Sequence, residues 1–419
     1  MILSYPHSRA AILCFGGWGL QVMFHLLPRL QAAQEQRSAL GGSSSANLGK
    51  LTSFGAILAD PMLTAQGHAH FTIRQPKTEQ PLPPFYIEKI LNRFDRERER
   101  TDDGAGLLTA AERRAQALLR MTEPMLTTLQ TPGRHFSAPA NGLVPEGRTA
   151  SKGVRRATRA DLFHTALLHA EPIARLLETN LLDPIRQDDL VDDDPFVQTT
   201  LYVIAPLYEP LTSALIWPIL ARLMNRIGQR HVSQVVAMFA TGSYAGDLTR
   251  PVEDAATFSA LAELEFLSDL QYHKEKPVAF PQLQQLIANT APEMSELVGN
   301  HLFDYLYLLD REKSNQGLAQ DSHELAVTTA NALEALIVAG GSLYMQEQLG
   351  VGMYAGEGRP YSLLGAAGDY VPLAQVLQAV NRQEESRLVR EWVLRNSDRT
   401  DVDAFEMGTS VADVPLSDE

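Results

Sequence analysis

Cysteine is almost absent: the 419 residues contain one, Cys14. No disulfide can close within the chain, and a cytoplasmic location is the expectation. Cys14 sits in an apolar run with no His or Lys beside it, so it reads as a packing residue and not as a reactive thiol. Positive charge is in deficit, with 36 Lys and Arg against 50 Asp and Glu and a formal net charge of -14. The acid gathers in "DDLVDDD" (Asp188 to Asp194) and in the last residues. A nucleic-acid partner is thereby excluded as an expectation. Long uninterrupted apolar runs are also scarce. No cationic segment followed by an apolar stretch and a small-residue cleavage site opens the chain. Leu201 to Met224 is long enough to span a bilayer, but Glu209, Pro206, Pro210 and Pro218 interrupt it. It reads as a buried strand, loop and helix, and no transmembrane segment is expected.

What is present is an ordinary globular composition, 45% hydrophobic and 21% charged, on a chain long enough for two domains. "AAILCF" (Ala10 to Phe15) is a short apolar run ended by glycines, as a central parallel strand with both faces covered would be. From Gly19 onward, Leu20, Val22, Met23, Leu26, Leu27 and Leu30 follow the helical period. Three further units repeat the strand, loop, helix order. "TTLYVIA" (Thr199 to Ala205) leads to a helix from Leu215, "HVSQVVAMFAT" (His231 to Thr241) to one from Val252, and "FDYLYLLD" (Phe303 to Asp310) to one from Ser322. The expectation is an α/β fold: an open, mostly parallel sheet with helices on both faces, then a core helix and a short C-terminal α/β extension. The predicted layout is a main domain over 1–340, a reduced C-terminal region over 341–395 and an acidic tail over 396–419. Irregular insertions are expected near 74–84 and 131–156, both rich in Pro or Gly, with a solvated, charge-alternating helix between them.

Four stretches in this order resemble the tubulin and FtsZ superfamily, closest to its divergent bacterial tubulin-like group. "ILCFGGWGLQVMFHLLPRL" is similar to the first strand, glycine turn and first helix. "DDLVDDDPFVQTTLYVIAPLYEPLTSALIWPILARLM" stands where that family has the strand, signature loop and helix that hold phosphates. "VVAMFATGSYAGDLTRPVEDAATFSALAELEFL" resembles the ribose-side loop and its helix, and "FDYLYLLDREKSNQGLAQDSHELAVTTANALEALIV" the last strand and core helix. The resemblance covers roughly 8–30 and 196–395 and rests on serial order. It implies GTP as ligand and self-assembly, or assembly with an intact tubulin-like relative, as mode of action.

The candidate binding residues are Gly16, Gly17, Gly19, Thr212, Ser213, Arg250 and Asn331. Glycines let backbone approach phosphate, and a helix N-terminus offers free N–H groups; tight strand-to-helix packing explains the same glycines. The second loop departs from the family. Where the resemblance calls for GGGTGSG, this chain reads Tyr208-Glu209-Pro210-Leu211-Thr212-Ser213-Ala214. Pro210 removes an N–H, Glu209 would repel an anion if it points inward, and Thr212 and Ser213 read equally as caps of a helix from Leu215. Arg250 stands in the resemblance's ribose loop, or is a solvated arginine. Asn331 falls where the family reads the guanine edge, with Ala332 in place of a carboxylate. Glu357 and Asp369 lack the family's hydrolytic context, so no catalytic residue is assigned. The histidines, "HAH" (His68 to His70) and the pair His164 and His169 among them, are joined by no cluster of metal ligands, and no metal site is expected.

Three readings follow. The first is a degenerate tubulin-like scaffold whose GTP binding is weak or lost. The second is an active filament-forming GTPase. The third is an unrelated nucleotide-dependent α/β enzyme, against which the missing Gly-x-Gly-x-x-Gly fingerprint counts.

Overall fold

The structure, a computed structural model, describes residues 9–39, 52–77, 109–129, 136–140, 156–186, 199–227, 232, 234–242, 250–268, 281–300, 302–310, 322–338, 361–363 and 387. Glu357, Asp369 and the acidic tail lie outside the described residues. One compact unit spans Met1–Ala367, and a second, Gly368–Glu419, contributes only Arg387 to the description.

Among the described residues nine strands form a single sheet: β1 (Arg9–Phe15), β2 (Thr52–Ala59), β3 (His68–Pro76), β4 (Leu126–Thr128), β5 (Phe136–Pro139), β6 (Thr199–Pro206), β7 (Gln234–Ala240), β8 (Tyr305–Leu309) and β9 (Tyr361–Leu363). Their order is β4-β3-β2-β1-β6-β7-β8-β9, with β5 also paired to β3. The run from β2 through β1, β6, β7 and β8 to β9 is parallel, whereas β3 runs antiparallel to β2, β4 and β5. The sheet is therefore open and mostly parallel, as the four strand, loop, helix units require.

The helices are α1 (Gly16–Ala39), α2 (Ala110–Thr122), α3 (Arg159–Leu168), α4 (Ala170–Leu177), α5 (Pro210–Ile227), α6 (Arg250–Ser268), α7 (Pro281–Thr290) and α8 (Ser322–Val338), with a short turn at Asp183–Arg186. They cover both faces. Along β1, Ala11, Leu13 and Phe15 enter the core formed with α3 to α7, while Ala10, Ile12 and Cys14 enter the core formed with α1, α2 and α8. Strands β6 and β7 alternate in the same way, so each central strand is apolar on both sides and reads as a continuous hydrophobic run. Burial raises the Cys14 thiol pKa well above its ordinary value, which leaves the thiol inert.

Several expectations change. Of the segments predicted irregular, Arg74 to Pro76 belong to β3, where they pair with β4, and Phe136 to Pro139 form β5, which pairs with β3, whereas 78–84, 131–135 and 141–155 lie outside the described residues. Strand β2, "TSFGAILA", has no strand-loop-helix pattern of its own and was not anticipated. The helix predicted to be solvated, α2, buries Leu118 and Glu112 and packs on α1. Its N-terminus is closed by a capping box between Thr109 and Glu112, and a second box, Thr158 with Asp161, starts α3. The apolar stretch from Leu162 to Leu182 forms α3 and α4, separated at His169, and then widens into a π turn at Glu178–Leu182.

Leu13 is fully buried at the centre of the sheet, whereas Leu168 at the end of α3 is 45% exposed. Leu13→Ala is expected to lower unfolding stability by about 2–5 kcal/mol and Leu168→Ala by no more than about 0.5 kcal/mol, as read by denaturant titration.

Candidate functional site at the switch point of the sheet

In a doubly wound sheet, ligands sit beyond the carboxyl ends of the strands where the chain reverses its direction of winding. Here that point lies between β1 and β6, the adjacent strands from which the chain proceeds to opposite edges. Two helices begin there. α1 starts at Gly16, immediately after β1, and α5 starts at Pro210, four residues after β6 ends. Each brings a set of unpaired N–H groups and the positive end of a helix dipole.

The crevice is filled by the chain itself. Gly17 N–H donates to Glu209 Oε2 and Trp18 N–H to Glu209 Oε1, each at 3.3 Å, and Thr212 Oγ1 donates to Oε2 at 2.7 Å. Neither α1 nor α5 carries an acidic residue in its own first turn, so Glu209 supplies to α1, across 192 residues of sequence, the carboxylate that its N-terminus lacks. A carboxylate so placed contributes about 0.3–1 kcal/mol, and up to about 2 kcal/mol where partly buried. Glu209 is 5% exposed. Burial outweighs the hydrogen bonds from Thr212, Trp18 and Gly17, and with the charge of Glu253 it pushes the Glu209 carboxyl up to about 7.

Each of the three glycines has a contact that requires it. Gly16 adopts φ 68°, a left-handed conformation that a side chain resists, and a Cβ there would lie 2.2 Å from Glu209 Oε2 and 2.7 Å from Thr212 Oγ1. A Cβ on Gly17 would meet the Cα of Ala115 in α2 at 2.5 Å, a backbone contact that cannot swing aside. A Cβ on Gly19 would meet the Ile204 carbonyl oxygen of β6 at 3.0 Å. Contacts within the protein thus account for the whole glycine turn without any ligand.

The structure brings together five of the seven residues singled out from sequence: Gly16, Gly17, Gly19, Thr212 and Ser213. Their roles differ from the expectation. α5 starts five residues before Leu215, so Thr212 and Ser213 lie inside its first turn and do not cap it; Glu209 precedes the helix and accepts the Ser213 N–H on its carbonyl at 3.0 Å. Pro210, whose missing N–H is harmless at a first helical position, sets that earlier start. Ser213 Oγ donates to the Pro210 carbonyl at 3.1 Å and accepts from Arg159 Nε at 3.3 Å, while Arg159 also pairs with Glu263 of α6.

Arg250 was expected in a loop and instead heads α6, the helix that follows β7. Asn331 lies nine residues into α8, about 13 Å along the axis from Ser322 at a rise of about 1.5 Å per residue. Ser322, not Asn331, is the α8 residue at crevice level, where its carbonyl accepts from Trp18 Nε1 at 3.2 Å. The Asn331 Oδ1 is buried without a hydrogen-bond partner among the described residues.

The residues that sequence reasoning missed are Ala115, Glu112, Arg156 and Glu253. Ala115 seals Gly17, Arg156 pairs with the buried Glu112 beside it, and Glu253, fully buried in the first turn of α6, acts electrostatically on Glu209. A capping-box pattern at Thr109 to Glu112 was legible; the place to which α2 docks was not.

Comparison with protein-family models, with curated proteins and with solved structures returns no match to this chain.

Gly17→Ala is expected to destabilise by about 1–3 kcal/mol through overlap with α2. Gly55→Ala, where a Cβ would make only ordinary contacts at 3.6 and 3.7 Å, should stay within about 1 kcal/mol of the parent. Because the folded carboxyl of Glu209 titrates higher than the unfolded one, its contribution to stability is fully present below about pH 4.5 and is lost as the pH rises through about 7. The melting temperature of the parent should therefore fall relative to Glu209→Gln between pH 5 and pH 8, on the order of several degrees, in paired thermal melts. A constant difference across that range would place the carboxyl in water.

Proposed function

We propose that this chain is a tubulin-like protein that has given up phosphate recognition and works by self-assembly, or by co-assembly with an intact tubulin-like relative, in the cytoplasm. One observation carries the reading: the Glu209 carboxylate already occupies the hydrogen-bond donors that a phosphate would need at the start of α1. A nucleotide phosphate would have to displace that carboxylate and lie beside Glu253, at a repulsive cost of order 1 kcal/mol or more per charge pair at contact distance. Ala115 of α2, packed on Gly17, stands in the same path.

The tubulin-like assignment is supported by the serial order of its four motif stretches and by a parallel sheet in which the first strand is central. Loss of hydrolysis is supported by Tyr208 to Ala214, which offers no glycine backbone to a phosphate and puts Pro210 where an N–H donor would be needed. Among the described residues no helix is long and apolar enough to cross a membrane.

GTP, GDP and ATP are expected to bind weakly or not at all in isothermal titration, and phosphate release at high protein concentration should match the buffer blank. Sedimentation should pellet the same fraction of protein with and without GTP. Micromolar GTP affinity with turnover, or a pellet that forms only with GTP, would overturn this reading in favour of an active GTPase.

A further inference from the structure

Helices α1 and α8 pack along each other on one face of the sheet, from Trp18 against Ser322 to Arg29 against Glu334. Between those two contacts they bring together three nitrogen-bearing side chains that share no residue with the crevice. Gln21 Nε2 lies 2.9 Å from His323 Nδ1, and His25 Nε2 lies 3.3 Å from the same His323 Nδ1. Gln21 and His25 are one helical turn apart on α1, so both project toward the one histidine on α8. The ring centroids of His25 and His323 are 4.9 Å apart and tilted by 55°.

The geometry points to a divalent transition-metal site, with His25 Nε2 and His323 Nδ1 as imidazole ligands, the Gln21 amide oxygen as a third and water completing the shell. Imidazole nitrogens bind zinc at about 2.0–2.1 Å, and two such bonds at a tetrahedral angle hold the nitrogens about 3.3–3.4 Å apart. The His25 to His323 spacing meets that figure before any rearrangement. That spacing is spanned by a ring N···N hydrogen bond and His323 Nδ1 also meets the Gln21 amide, so loading the site displaces one ring proton, tilts both rings toward the ion and turns the Gln21 amide. Both imidazoles are partly buried, which fixes their rotamers and lowers the entropy lost on binding.

Two features oppose a cation, and each is offset. Arg29 lies one turn beyond His25, but its guanidinium is engaged by Glu334 at 3.2 Å. His323 is in the first turn of α8, where the helix dipole is positive, and Glu324 lies in the same turn. Two neutral imidazoles and an amide make a donor set suited to Zn(II), Cu(II) or Ni(II) and not to Mg(II) or Ca(II). Among the described residues no group of three His, Cys, Asp or Glu is poised around an ion, so this is a two-histidine site of modest affinity. Its effect would be to clip α1 to α8.

The test is titration of the full chain, stripped with chelator, with ZnCl2 by calorimetry and by thermal melting. One equivalent of Zn(II) should bind in the micromolar range and raise the melting temperature, with Mg(II) giving no shift. His323→Asn should weaken Zn(II) binding at least tenfold while His68→Ala leaves it unchanged. His25→Ala should match His323→Asn; if His25→Ala does not fold by circular dichroism, the half-buried His323 decides alone. No Zn(II) binding to the parent chain, or equal binding to His323→Asn, would overturn the site.

Discussion

A single carboxylate at the N-terminus of α1 organises this fold. The first turn of any helix leaves donors that must find partners, and in a parallel sheet several such turns open at one end. Nucleotide-binding folds answer that demand with phosphate. Here Glu209 answers it, receiving the Gly17 and Trp18 N–H groups and the Thr212 hydroxyl within the chain. Gly16 must be glycine to turn beneath that carboxylate, and α2 then closes over Gly17 through Ala115. The crevice that the sheet topology creates is thus filled by the chain's own side chains and forms part of the core.

Burying that carboxylate carries an electrostatic cost that shapes its surroundings. A carboxylate removed from water beside a second one, Glu253, is held only by its hydrogen bonds and by two helix dipoles, and burial raises its affinity for a proton. The neighbouring ion pairs between Arg159 and Glu263, and between Arg156 and Glu112, tie α3, α5, α6 and α2 together around the same end of the sheet. The protein keeps charge at the crevice but satisfies it internally.

Much of the framework was legible in the residues. Runs such as Ala10 to Phe15 and Thr199 to Ala205 can only be strands covered on both sides, and their spacing to helical stretches dictates a parallel sheet. The irregular segments were harder. Arg74 to Pro76, the end of β3, pair with β4, and Phe136 to Pro139 pair with the start of β3, partnerships across some fifty to seventy residues that no local pattern announces. α2 was misjudged because its charges are real, but Glu112 is buried by a cap and an ion pair and not displayed to water.

The sequence by itself determined the fold class, the glycine turn after β1 and the glycine-free turn after β6, because apolar periodicity and glycine and proline placement act over a few residues. Only the tertiary structure decided which way Glu209 points and what Gly17 meets, and that His25 and His323, 298 residues apart in the chain, share one hydrogen bond. Those facts depend on where separate elements dock, and docking is set by the summed burial of two cores, which no short window of residues contains.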